Sequence, residues 1–228
     1  MNHFPSPAVL FDLDGTLLDT LQDLADSGNA VLSGRGFAIH PRDAYRTFVG
    51  NGMLNLARDI FPEGNKPGSD EEVAAVLAEY RAAYERNWQN TTAPFPGIAG
   101  LLDQLVSEGV PIGVVSNKAH DFTVKCVEAF LGGWTWNAVL GHREGHTRKP
   151  DPAGALEVAA SLGVAPGGCF FVGDSDVDIM TARNAGMRAI GVAWGFRPVE
   201  ELLAAGAETI LETPEALLEL LRGTRGQA

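Results

Sequence analysis

Ala8-Val9-Leu10-Phe11-Asp12-Leu13-Asp14-Gly15-Thr16-Leu17-Leu18-Asp19-Thr20 begins as an unbroken apolar run and stops on a carboxylate. Consecutive apolar residues followed by polar and turn-forming ones predict a short strand buried on both faces of a sheet. Asp12 and Asp14, two residues apart, can share one face if the strand continues. Gly15 then permits a turn that a bulkier residue resists. Read alone, Asp-x-Asp-Gly is also a common strand-to-helix loop with an acidic cap, so the rest of the chain must discriminate.

Similar runs recur downstream: Ile112-Gly113-Val114-Val115, Ala138-Val139-Leu140, Phe170-Phe171-Val172, Ala189-Ile190-Gly191-Val192 and Thr209-Ile210-Leu211. Between them lie apolar stripes at helical spacing, among them Ile98, Leu101, Leu102 and Leu105, then Phe122, Cys126, Val127 and Phe130. Strand and helix alternate from about residue 94 onward, which predicts an α/β core: a doubly wound parallel sheet with helices on both faces. Residues 20–92 read differently. Leu21, Leu24 and Ala25 mark one helix, Leu54 to Phe61 a shorter one, and Val73, Val76, Leu77, Tyr80 and Tyr84 a third, with no strand pattern. Phe61-Pro62-Glu63-Gly64-Asn65-Lys66-Pro67-Gly68 is a loop, and Thr92-Ala93-Pro94-Phe95-Pro96-Gly97 a boundary. The expected organisation is a core made of residues 1–19 and 93–228, with an all-helical insertion at 20–92.

Polar groups cluster where the strands end. After Val115 comes Ser116-Asn117-Lys118; after Val172 comes Gly173-Asp174-Ser175-Asp176-Val177-Asp178; and Arg148-Lys149-Pro150-Asp151 follows the Val139-Leu140 run. Together with Asp12 and Asp14, these sit past the carboxyl ends of parallel strands, the edge where open α/β sheets bind ligands. Asp12, Asp14, Asp174 and Asp178 on one edge would repel one another, and a hard cation with oxygen ligands, Mg²⁺, answers that repulsion. Lys149 and Ser116 can neutralise and hydrogen-bond a phosphate, and an aspartate can act as nucleophile through an aspartyl-phosphate.

Composition narrows the partners. A net charge of -12, with no Lys/Arg cluster, speaks against nucleic acid and anionic membranes. No stretch is long and apolar enough to span a bilayer, and no basic-then-apolar leader opens the chain, so a cytoplasmic location is expected. Cys126 and Cys169 lack metal or disulfide spacing and read as buried thiols in a reducing compartment. Monomer and homodimer both remain open.

Four motifs in order, Asp12-x-Asp14-Gly15-Thr16, Ser116-Asn117, Lys149-Pro150 and Gly173-Asp174 with Asp178, resemble the phosphatase branch of the haloacid dehalogenase superfamily. The likeness runs over essentially the whole chain, and residues 20–92 resemble that family's small helical cap. It implies that Asp12 is the nucleophile and that Asp14 protonates the leaving alkoxide, then activates water. The acid role implies a protonated Asp14, a form favoured by crowding with other carboxylates. It further implies that Thr16, Ser116 and Asn117 bind the substrate, that Lys149 contacts Asp12 and the phosphate, and that Mg²⁺ is held by Asp12, the Asp14 carbonyl and Asp174. Asp178 is implied to order the metal's waters or Lys149. Phe48-Val49-Gly50-Asn51-Gly52 and Val192-Ala193-Trp194-Gly195-Phe196-Arg197-Pro198 are similar to the phosphoglycolate phosphatase group, which implies a small phosphorylated metabolite, 2-phosphoglycolate, as substrate. Arg46, Gly50 and Asn51 are the cap residues expected to touch its non-phosphate end.

Other readings compete. Pyrophosphatases and sugar-phosphate phosphatases or mutases share the pattern, and a plain helix–helix turn also explains Gly50-Asn51-Gly52. A phosphoryl-accepting signalling module would use the same groups without turnover, but a cap that encloses a small substrate argues against it. Phosphonate cleavage needs a cap lysine, and only Lys66 in its Pro/Gly loop is available. His142 and His146 stand four apart, yet Gly145 disfavours a helix and no third ligand is evident for zinc. Asp174 to Asp178 start like a calcium loop, but Ile179 and Ala185 occupy the positions that need Gly and Glu.

Overall fold

The computed structural model of the protein describes residues 7–225. Its chain divides into two compact units: residues up to Leu18 together with Pro94 onward, and residues Asp19–Ala93. In the first unit, β1 (Ala8–Phe11) is followed, after the second unit, by α5 (Ile98–Ser107), β4 (Ile112–Ala119), α6 (His120–Leu131) and β5 (Ala138–His142). Then come α7 (Ala153–Ser161), β6 (Cys169–Gly173), α8 (Asp176–Ala185), β7 (Arg188–Val192), α9 (Val199–Ala205), β8 (Thr209–Leu211) and α10 (Ala216–Arg225). Two short strands, β2 (Leu18–Asp19) and β3 (Ala93–Pro94), pair where the chain leaves and returns.

Six strands form one sheet in the order β5-β4-β1-β6-β7-β8, and every neighbouring pair is parallel. After β1, the chain builds outward through β4 and β5, then returns to the other side of β1 for β6 to β8. The reversal opens a crevice at the carboxyl ends of β1, β4 and β6. The buried run Ala8 to Phe11 occupies the centre because both its faces are covered. Ala8 and Leu10 join Val158, Ala159, Phe171 and Ile179 in one core layer, whereas Val9 and Phe11, also buried, alternate to the opposite face.

The strands start and stop close to where the apolar runs predict, with one difference that matters for the site. β4 does not end at Val115; it continues through Lys118 to Ala119, which pairs with His142 after a register shift. Ser116 and Lys118 therefore lie within the strand, in the stretch where its register shifts.

The second unit contains α1 (Leu21–Gly34), α2 (Tyr45–Phe48), α3 (Met53–Asp59) and α4 (Asp70–Asn87). Ser69 caps α4 in a reciprocal pairing with Glu72. Tyr80 donates its hydroxyl to the Leu24 carbonyl at 3.1 Å, joining α4 to α1. Asp23, fully buried, accepts hydrogen bonds at 2.6–3.1 Å from the N–H and hydroxyl groups of Thr91 and Thr92. One carboxylate thus ties the beginning of this unit to its end, and its burial is satisfied by directed donors rather than by a counter-ion. Among the described residues, no helix is long and apolar enough to cross a membrane.

Candidate active site

Asp12 follows β1 directly and is held to the sheet by its N–H, which donates to the Val172 carbonyl of β6 at 2.9 Å. Its side chain is buried, and Lys149 Nζ lies 2.8 Å from Oδ1. The contact is an ion pair without the alignment of a hydrogen bond, and Asp12 Oδ1 has no directed donor. Lys149 Nζ also donates to Asp178 Oδ1 at 2.7 Å. The lysine is placed by its main chain: Asn117 Nδ2 donates to the Lys149 carbonyl at 3.1 Å, and the Lys149 N–H donates to Asn117 Oδ1 at 2.9 Å. The Asn117 side chain therefore clamps the lysine peptide from β4.

Asp178 belongs to α8. Its Oδ2 accepts from the Ser175 hydroxyl at 2.6 Å and the Ser175 N–H at 3.1 Å, while Ser175 caps the helix in return. The Asp174-to-Asp178 segment is thus a capped helix start and a lysine anchor, not a calcium loop. Asp174 is gripped from two sides. The Thr16 hydroxyl donates to Oδ1 at 3.2 Å, and the Phe196 N–H donates to Oδ2 at 2.8 Å. Trp194 Nε1 donates to the Thr16 carbonyl at 3.0 Å, closing the loop around it. Thr16, expected to bind substrate, is fully buried, with its hydroxyl engaged on Asp174.

Two glycines make this packing possible. A Cβ on Gly15, whose φ is +86°, would sit 2.3 Å from Asp174 Oδ2. A Cβ on Gly195 would sit 2.2 Å from Asp174 Cβ and 2.7 Å from the Gly15 carbonyl oxygen. The Trp194-Gly195-Phe196 stretch, which the sequence reading connects with substrate type, is a cradle for this carboxylate.

Asp14 departs from expectation. Its carboxylate, close enough to Asp12 to act on it electrostatically, lies outside the Asp12–Asp174–Asp178 cluster and beside Lys118, whose Nζ reaches Oδ1 at 2.9 Å and Oδ2 at 3.1 Å. The structure gives Asp14 a partner that the sequence reading did not assign, the ammonium of Lys118 from β4. Lys118 had no assigned role, because the apolar run predicts a strand that stops at Val115 and the structure carries β4 on through Lys118.

The electrostatics follow from this geometry. Four carboxylates (Asp12, Asp14, Asp174, Asp178) face two ammonium groups (Lys118, Lys149). Burial pushes the Asp12 carboxyl up to about 6, with Asp178 and Asp14 adding to the rise and Lys149 opposing it. Burial, then Asp178 and Asp12, raise Asp174 well above the ordinary carboxylate range. Burial works against the Lys149 ammonium, yet Asp12 and Asp178 outweigh it and push its pKa upward. Ligand atoms of Asp12, Asp174 and Asp178 lie within 4.8 Å of one another, the one metal-type cluster among the described residues. A divalent cation fits here on three counts: hard oxygen donors, the Asp12 oxygen without a directed donor, and an excess of two negative charges. Asp14 adds no carboxylate to this cluster.

Ser116, Asn117 and Lys149 also line a cleft with His142, Arg143 and His146. Burial, with Arg148 and His146 nearby, lowers the His142 pKa and favours its neutral ring. In the helical unit, Arg46 pairs with Asp43 at 3.4 Å, and the Asn51 carbonyl accepts from Asn55 Nδ2 at 2.9 Å. Gly50 and Gly52, at φ +118° and +85°, shape the turn between α2 and α3.

Residues 9–192 match the model of the haloacid dehalogenase-like hydrolases. The chain is 35% identical over 218 residues to a phosphoglycolate phosphatase of Xylella fastidiosa, covering 95% of this chain and 93% of that one. It is 31% identical over 220 residues to a phosphoglycolate phosphatase of Psychrobacter arcticus, with 93% and 94% covered. Among solved structures, a candidate phosphoglycolate phosphatase from Lactobacillus delbrueckii subsp. bulgaricus superposes with a TM-score of 0.87 at 33% identity, covering 95% of this chain and 98% of that one.

Proposed function

Since the chain belongs to the haloacid dehalogenase-like hydrolase family and is a phosphoric monoester hydrolase, we propose that it cleaves 2-phosphoglycolate with Mg²⁺ through an aspartyl-phosphate on Asp12. The observation that carries this reading is the buried Asp12–Lys149–Asp178 chain beside Asp174 at the carboxyl edge of β1, β4 and β6. The substrate assignment draws on the relatives named as phosphoglycolate phosphatases.

Asp12, Asp174 and Asp178 would hold Mg²⁺, which supplies the positive charge that lets a phosphate dianion approach a carboxylate. An oxygen of Asp12 attacks phosphorus, the bond from phosphorus to the alkyl oxygen breaks, and the alkoxide takes a proton from Asp14. Water then attacks the aspartyl-phosphate, its proton passes to Asp14, and the bond from phosphorus to Asp12 oxygen breaks to release phosphate. Lys149 balances charge on Asp12 and the phosphoryl oxygens, and Ser116 donates a hydrogen bond to one of them. Positioning and charge stabilisation do most of the work in such a transfer.

Phosphate release measured with and without Mg²⁺ across 2-phosphoglycolate, pyrophosphate, sugar phosphates and nucleoside monophosphates tests the proposal. We expect strong, Mg²⁺-dependent preference for 2-phosphoglycolate. Broad weak activity would remove the substrate assignment and keep the chemistry, whereas stable labelling of Asp12 without turnover would make the protein a phosphoryl-accepting module.

A further inference from the structure

We propose that Lys118 is a positioning residue that holds the carboxylate of Asp14 in place for proton transfer. The inference rests on the reading of Asp14 as the group that gives and takes the proton. Lys118 Nζ contacts both oxygens of Asp14, at 2.9 and 3.1 Å, and its side chain is 3% exposed. No other group among the described residues hydrogen-bonds that carboxylate. Asp14 lies after β1, where its main chain bridges to Leu18, and its carboxylate oxygens meet the Lys118 ammonium.

Lys118 is itself held by its main chain. It sits in β4, its N–H donates to Ser116 Oγ at 3.3 Å, and its carbonyl accepts from the Thr123 hydroxyl at 3.2 Å. Gly141 lets the neighbouring strand approach closely, since a Cβ there would meet the Lys118 carbonyl oxygen at 2.7 Å. The end of β4 therefore presents Lys118 Nζ to Asp14. An ammonium with both carboxylate oxygens as partners restricts the acid to one orientation before substrate arrives. Catalysis gains when the proton carrier pays no reorganisation at the moment of transfer.

The test compares Lys118→Met, Asp14→Asn and the unaltered protein with Mg²⁺ present, using 2-phosphoglycolate and p-nitrophenyl phosphate. For Lys118→Met, kcat on 2-phosphoglycolate is expected to fall about 100-fold, the scale of a misplaced general acid, with KM changed less than about threefold. Nitrophenolate leaves without a proton, so phosphoryl transfer from p-nitrophenyl phosphate stays fast while water attack slows. A burst of nitrophenol close to one per active site then precedes slow turnover, a signature that loss of folded enzyme does not produce. If Lys118→Met does not fold, Lys118→Gln carries the same comparison. Near-normal kcat in the Lys118 variant with an inactive Asp14→Asn overturns the positioning role alone. A rise in KM at constant kcat also overturns it, by making Lys118 a substrate ligand, and a fully active Asp14→Asn overturns the reading of Asp14 itself.

Discussion

Burial of Asp12 destabilises its carboxylate form within the fold. Burial and two neighbouring carboxylates raise its pKa from 3.8 to about 6, so the ionised form that attacks phosphorus is disfavoured before a cation arrives. A folded-state pKa above the unfolded value contributes stability that is complete below pH 3.8 and lost as pH rises through about 6. Asp12→Asn removes that penalty while keeping the shape. We expect this variant to lose turnover entirely and, in EDTA at pH 7.5, to melt about 2–4 °C above the unaltered protein, the shift that ~1 kcal/mol produces at this chain length. At pH 4.5 the two melting curves should converge, because Asp12 is then protonated. Thermal denaturation followed by circular dichroism checks both points, and a lower melting point for the variant at pH 7.5 would show that the Lys149 pairing outweighs the desolvation cost.

At the scale of elements, the loop after β7 and the turn after β1 close on Asp174 from opposite sides. Each carries a glycine against it, Gly15 and Gly195, where an added Cβ would collide with the Asp174 side chain, and the Thr16 hydroxyl reaches the carboxylate beside Gly15. Gly195→Ala should push Asp174 out of place without touching Asp12 or Lys149. The expected outcome is a 10- to 100-fold rise in the Mg²⁺ concentration needed for half-maximal activity, typical of losing a group that orients a metal ligand. Stability should drop by about 1–3 kcal/mol from overpacking, read from urea unfolding. Unchanged Mg²⁺ dependence would detach this loop from the metal site. The strands themselves were legible as elements, because an apolar run such as Phe170-Phe171-Val172 has a signature in any context. The cradle was not, because a glycine chosen for proximity looks like a glycine chosen for a turn.

For the whole molecule, the order of the sheet is what collects the charges. Asp12 follows β1, Asp174 follows β6, Asp178 opens α8, and Lys149 precedes α7. They converge because β4 and β6 both flank β1. Folding therefore concentrates repulsion that the unfolded chain does not feel, and a bound cation should offset it. We expect Mg²⁺ to raise the melting temperature at pH 7.5 and to do so much less at pH 5, where the raised pKa values of Asp12 and Asp174 leave protons in place of the metal. Equal Mg²⁺ stabilisation at both pH values would point to a binding site elsewhere.

The sequence by itself determined the parallel α/β core and the helical character of the segment inserted after β1. Apolar runs, helical stripes and residue chemistry are local properties and survive being read one window at a time. Only the tertiary structure decided which group each polar side chain addresses. Asn117 clamps the Lys149 peptide, Thr16 serves Asp174, Lys118 holds Asp14, and Asp23 joins Thr91 and Thr92. These pairings span 32, 158, 104 and 68–69 positions. A hydrogen bond is a condition on distance and direction, and over such separations both are set by the sheet order and register rather than by neighbours along the chain.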